Sequence, residues 1–239
     1  MFLEYFIRCR TYIRVSITPI PQPQARRATE HSMKILPLIL AATCLASAQN
    51  RPIIDVSGGF TFPDISGESD VKEQSSWTLR AGAGIAIPMN PQFDALLTGQ
   101  FAIGQASGKE TDDDYTYELT LVPRYLELDA SALFKASPQF GIVGGLVYSI
   151  PMGGTYEVEF DAPEYPEESY SDDGDIDDLA DDIDADVNNF ASLKIGGQYI
   201  IDETKSIQLN YLMPLGKYID TDGFGIKVAR LTGGIVFRI

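Results

Sequence analysis

Histidine and cysteine are nearly missing from this chain: one histidine, His31, and two cysteines, Cys9 and Cys44, in 239 residues. All three precede residue 49. If the leader is removed, imidazole acid–base chemistry, thiolate nucleophiles, disulfides and zinc sites of the usual nitrogen and sulfur type go with it. Basic residues are also scarce, 18 against 34 acidic ones for a net charge of −16, which argues against a nucleic-acid partner. No run approaches the roughly 18 unbroken apolar residues that a membrane helix needs. Hydrophobic residues nonetheless make up 44% of the chain, too many for wholesale disorder.

What is present begins with a secretion pattern at an internal methionine. Met33-Lys34 precedes an apolar stretch, Ile35 to Leu45, and then Ala46-Ser47-Ala48, an order that reads as a signal peptide over 33–48. Residues 1–32 are read as a non-native upstream extension, with a genuine long leader as the alternative. The expected mature domain, 49–239, keeps 12 basic and 32 acidic residues.

Within that domain, segments of about 10 to 16 residues alternate apolar with small or polar side chains, and period 2 means strand. Ile54, Val56, Phe60 and Phe62 oppose Asp55, Ser57 and Thr61; Trp77, Leu79, Ala81, Ala83 and Ile85 oppose Thr78, Arg80, Gly82 and Gly84. Eight such runs follow one another. In the run from Tyr115 to Phe134 the apolar parity changes from odd (Leu119, Leu121) to even (Leu126, Leu128) near Pro123, which predicts a bulge that resets the facing of that strand. Short turns (89–92, 135–139, 202–205) alternate with longer polar connections (63–75, 105–114, 151–189, 216–225). Even strand number and this loop asymmetry predict an all-β, eight-stranded antiparallel up-and-down transmembrane β-barrel. A soluble secreted β-domain that binds a ligand is the fold-level competitor.

The stretch Tyr125 to Lys135, YLELDASALFK, resembles the YLE-x-P-LLLK-type strand of porin-family outer-membrane β-barrel proteins, with Asp129 where that group has proline. The end, Thr232 to Ile239, is similar to the C-terminal signal of such barrels, carried by Gly234, Phe237 and Ile239. The resemblance implies a small barrel of the OmpA/OmpX type in the cell outer membrane, in contact with its lipid and lipopolysaccharide and inserted by the barrel-insertion machinery.

Function is less constrained. An eight-stranded barrel is just wide enough for side chains to fill it. By parity Arg80, Asp94, Glu127, Asp129, Lys194 and Arg230 point inward, and isolated buried charge is costly, so a lumenal salt-bridge network is expected. A narrow cation-preferring pore along the same charges is the alternative. Residues 155–189 hold 15 acidic side chains and no Lys or Arg, a block expected to be a solvated extracellular loop. Ile176, Leu179, Ile183 and Val187 recur at helical spacing inside it. Carboxylates are the hard ligands that Ca²⁺ and Mg²⁺ prefer, and Asp173, Asp175, Asp177, Asp178, Asp181 and Asp182 are the weak candidates for such an ion, although the calcium-loop order is incomplete. No other cofactor is implied. Without histidine no catalytic constellation stands out, so the chain is expected not to be an enzyme and to act through its surface, with an extracellular partner on 155–189.

Overall fold

A computed structural model describes residues 50–67, 72–74, 76–112, 115–163, 169–183, 185–221 and 224–239. The expected leader, residues 1–48, lies outside these. Thirteen strands and one short helix are present: β1 (Arg51–Gly67), β2 (Lys72–Gln74), β3 (Ser76–Asn90), β4 (Phe93–Gly104), β5 (Ala106–Thr111), β6 (Thr116–Lys135), β7 (Phe140–Asp161), β8 (Tyr170–Asp175), α1 (Ile176–Asp182), β9 (Asp186–Val187), β10 (Phe190–Ile200), β11 (Lys205–Pro214), β12 (Ile219–Asp220) and β13 (Phe224–Arg238).

Eight long strands pair antiparallel in the order β1, β3, β4, β6, β7, β10, β11, β13, and β13 returns to β1. The ring is therefore closed. Its stagger is read from the register. From Ser57, partners lead one way through Arg80 and Ala102 to Tyr125, and the other way through Gly234, Gln208, Gln198 and Gly141 to Lys135. The two routes reach β6 ten residues apart, which tilts the strands by about 40° and closes every edge within the ring.

The faces are inverted relative to a soluble protein. Outside, Val56, Leu79, Leu97, Leu146, Ile195, Leu209 and Ile235 are all exposed, and Phe93, Phe140, Tyr199 and Phe237 surround one end while Phe60, Phe62, Trp77 and Tyr148 surround the other. Inside, Thr98, Gln100, Ser149, Ser192, Gln208, Asn210 and Thr232 are buried. An apolar exterior between two aromatic girdles around a polar interior is stable in a bilayer and nowhere else. The soluble alternative is thereby overturned.

The short turns cap their own backbone. Asn90 Oδ1 accepts from the amides of Gln92 and Phe93 at 2.9 Å each, and Ser137 Oγ from Phe140 at 3.0 Å. Asp202 Oδ1 accepts from the Thr204 amide and hydroxyl, both at 2.7 Å, and these bonds hold its carboxyl below the usual aspartate range.

At the opposite end the strands run past the membrane. A tilted strand rises about 2.5 Å per residue along the barrel axis, so about ten residues cross a 25 Å apolar band. β6 has 20 residues and β7 has 22. Their outer halves, joined by β2, β5 and β8, form a sheet that stands clear of the bilayer. This corrects two expectations. First, 155–189 is not a solvated loop where it is described: it completes β7 and supplies β8, α1 and β9. Second, β6 does not change facing at Pro123. Tyr117, Leu121, Tyr125, Glu127, Asp129 and Leu133 all point inward on one parity. The apolar residues change sides because the surroundings do: below Arg124 the outside is lipid, above it water. The register does shift opposite Pro123, but the extra residue is in β7, between Pro151 and Gly154. There Gly153 and Gly154 have φ of 82° and 155°, which side-chain-bearing residues rarely adopt.

Candidate functional site

Two regions carry functional chemistry: the lumen within the apolar band and the acidic sheet above it.

The lumen is layered. At the short-turn end Ile53, Ala86, Leu96, Leu133, Val143 and Val236 form an apolar layer. In the middle are the charges. Glu127, wholly buried, accepts from Arg80 Nε at 2.8 Å through one oxygen, while its other oxygen meets Arg230 Nη1 at 2.5 Å and the Ser149 hydroxyl at 3.2 Å. Lys194 Nζ is 2.6 Å from Asp129 Oδ2, and Ser131 donates to the other Asp129 oxygen. The Gln100 amide donates to Asp55 at 3.2 Å. Three cations (Arg80, Lys194, Arg230) thus meet two carboxylates (Glu127, Asp129), with Asp55 buried nearby and held by Gln100, so that every buried cation has a counter-charge.

Five of the six inward charges expected from parity come together here. Asp94 does not. It lies at the short-turn end, 2.6 Å from Lys135 Nζ and 4.0 Å from Arg238 Nη2. Sequence reasoning missed Lys135, Arg238 and Asp55 as members of these networks. All three were legible from inward parity: Asp55 aligns with Ser57, Lys135 with Leu133 and Arg238 with Val236.

Above the charges the lumen closes. Tyr125 meets Phe190 and Tyr218 edge to face at 5.6 and 5.4 Å, and Arg230 lies over the Tyr125 ring at 5.6 Å. α1 rests on these rings: Ile176 and Leu179 are buried together with Ile183, packed with Tyr117, Leu121, Tyr156 and Val158. The spacing of Ile176, Leu179 and Ile183 thus belongs to a helix that stoppers the barrel.

The outer sheet presents acid to water. Cross-strand rows run Thr120–Glu157–Asp173 and Val122–Thr155–Asp175 over a groove of about 590 Å³ that Asp178 also lines. Glu157 directly faces Asp173, an arrangement that costs stability unless a cation is near. The six metal candidates are not gathered into a cage: Asp173 and Asp175 lie along β8, Asp177, Asp178, Asp181 and Asp182 splay from α1, and among the described residues no three carboxylates converge on one point. A coordination sphere of six to eight oxygens needs convergence, which an array lacks. Of the proposed insertion-signal residues, Gly234 and Phe237 lie on the last strand and Ile239 follows it directly. Gly234 faces inward, where a Cβ would lie 2.4 Å from the Ser57 Cβ, while Phe237 and Ile239 face outward.

A closed eight-stranded ring with an apolar girdled exterior and a polar lumen defines an outer-membrane β-barrel, and places the chain in the outer membrane. No family model and no curated protein matches the chain. Among solved structures it is similar to the outer membrane protease OmpT from Escherichia coli (9% identity over 82% of this chain and 99% of that one, TM-score 0.42) and to Neisserial surface protein A (12%, 78% and 97%, 0.40). It is similar also to Ail, the attachment invasion locus protein of Yersinia pestis (12%, 78% and 98%, 0.36). The assignment rests on the ring of strand pairs and the inverted faces, not on these likenesses.

Proposed function

We propose that the barrel is an anchor and that the protein works, without catalysis, through its outer sheet, as a surface-interaction protein of the outer membrane. The observation that supports this reading is the row pairing Glu157 with Asp173: a folded sheet held above the bilayer sets carboxylates against each other with no basic residue between Lys135 and Lys194 to offset them. A positively charged partner relieves that repulsion, and so does the diffuse cation layer of the lipopolysaccharide surface. The stoppered lumen supports the same division of labour.

The test is binding of neutral-lipid proteoliposomes to a polylysine-coated sensor at low and high salt. The variant Glu157→Gln/Asp173→Asn/Asp175→Asn is expected to bind at least tenfold more weakly and to lose most of the salt dependence. Unchanged binding by a variant that still shows the folded gel band refutes the reading.

A further inference from the structure

The ion pairs engage Lys194 and Arg230 on β10 and β13 but leave the polar groups around them without partners. On the inner face of β10, β11 and β13, Ser192 Oγ, Asn210 Oδ1, Thr232 Oγ1 and Gln198 Oε1 have no protein partner, and all four residues are at most 3% exposed. Arg230 Nε, on the same wall, is also unpartnered. These groups form a column. Asn210 and Thr232 are directly opposed across β11 and β13. Arg230 lies one inward position nearer the outside. Ser192 and Gln198, six residues apart on β10, are separated by about 15 Å along the barrel axis. The opposite wall carries Glu127 and Asp129, the acceptors of the ion pairs, and has unpartnered atoms of its own at Ser57 Oγ, Arg80 Nη2 and Gln100 Oε1.

The chemistry of the column selects its ligand. It alternates a guanidinium donor, hydroxyls that both give and accept, and amide oxygens that accept, and the charges around it already balance. An ion would find neither a cage nor a counter-charge; water satisfies both kinds of group. The ends of the column differ. At the short-turn end the apolar layer is interrupted on β10 and β11, where Gln198 donates to the Ser206 hydroxyl. At the outer end the column stops beneath Tyr125, Phe190 and Tyr218, which pack on one another and share an apolar cluster with Ile176 and Leu179 of α1.

We propose that this wall carries a file of water, continuous with the periplasm and stopped at the outer end by the aromatic stopper, so that lifting α1 makes the barrel a conduit for water. The inference goes beyond the surface-interaction reading and does not depend on it.

Osmotic water permeability of proteoliposomes, followed by stopped-flow light scattering, tests it. The wild-type protein is expected to match protein-free vesicles. The variant Ile176→Asp/Leu179→Asp, which puts charge where α1 meets the rings, is expected to raise permeability at least fivefold while keeping the heat-modifiable gel band. Adding Asn210→Leu/Thr232→Leu returns it to background, whereas Thr98→Leu on the opposite wall does not. A folded stopper variant no more permeable than wild type overturns the proposal, and so does a gain that survives Asn210→Leu/Thr232→Leu. Should the stopper variant not fold, the wild-type protein in micelles decides: water cross-peaks at the Asn210 amide and the Thr232 side chain are expected, and their absence overturns it.

Discussion

Removing the Glu127 carboxylate is the sharpest test of how the lumen is held together. Glu127 is shared by two arginines, each almost wholly buried, and replacing it with alanine leaves both Arg80 and Arg230 facing a cavity with no counter-charge at contact distance. Breaking a buried pair by deleting one partner costs about 3–5 kcal/mol. Two cations lose a partner here, which pushes toward the upper end, while Asp55, whose charge also acts on Arg80, and water entering the lumen pull the other way. The expected loss is therefore about 4 kcal/mol, close to a thousandfold in the folding equilibrium. Glu127→Gln keeps the shape and one acceptor and is expected to lose about half as much. The assay is reversible urea unfolding in vesicles or detergent, followed by tryptophan fluorescence from Trp77 and by the gel shift on boiling. A double-mutant cycle with Arg230→Met separates the pair from the packing: a coupling of about 2 kcal/mol is expected for residues in contact. A Glu127→Ala loss below about 1 kcal/mol, at the level of an exposed ion pair, refutes the account of a buried core held by its ion pairs.

Three further outcomes follow from the geometry. Leu146, exposed outward at the level of the lumenal charges, should cost about 2–4 kcal/mol when changed to arginine, measured by the same unfolding, whereas Glu159→Arg above the band should fall within about 0.5 kcal/mol. Gly153→Ala forces a side chain into the left-handed region at the β7 bulge and should lose about 1–2 kcal/mol in the same urea unfolding. The Asp202 carboxyl, held low by Thr204, stabilises its turn above the ordinary aspartate range, and that contribution disappears as pH falls through the lowered value. Thr204→Ala removes the hydroxyl bond and keeps the amide bond, so it should move the carbon-13 titration of Asp202 upward, part of the way to the ordinary range, and an unmoved titration refutes the assignment.

The membrane-crossing part was legible because lipid and lumen impose one strict rule on every strand. From Ile54–Phe62 on β1 to Leu231–Phe237 on β13, alternation assigned the lipid face directly, and the inward charges followed from it. Beyond the band the rule reverses, and a reader holding it constant mistakes the reversal for a structural event. On β6 the sequence shift from Leu121 to Leu126 was read as a change in the strand, when the strand is regular and its surroundings change. The actual irregularity, at Gly153, carries no apolar signature. The acidic segment misled for a related reason. Its local composition favours solvation, but the partners of Ile176, Leu179 and Ile183 are Tyr117, Leu121 and Tyr218, which lie far away in the sequence, so the burial that folds the segment could not be seen within it. Helical spacing pointed to the helix; only the barrel mouth supplied its use.

The exchange of faces at Arg124 also acts as a depth stop. Arg124, Thr155 and Asp64 project outward just above the apolar band, and the exposed turn residues Asn90, Gln92, Asp202 and Glu203 lie at its lower rim, so sliding the molecule in either direction drags polar side chains into hydrocarbon. A barrel pinned at both rims holds its top at a constant altitude. The acidic sheet, eight residues above Arg124 at its highest point on β6, therefore reaches about 20 Å above the apolar band, as a fixed mast rather than a tethered float.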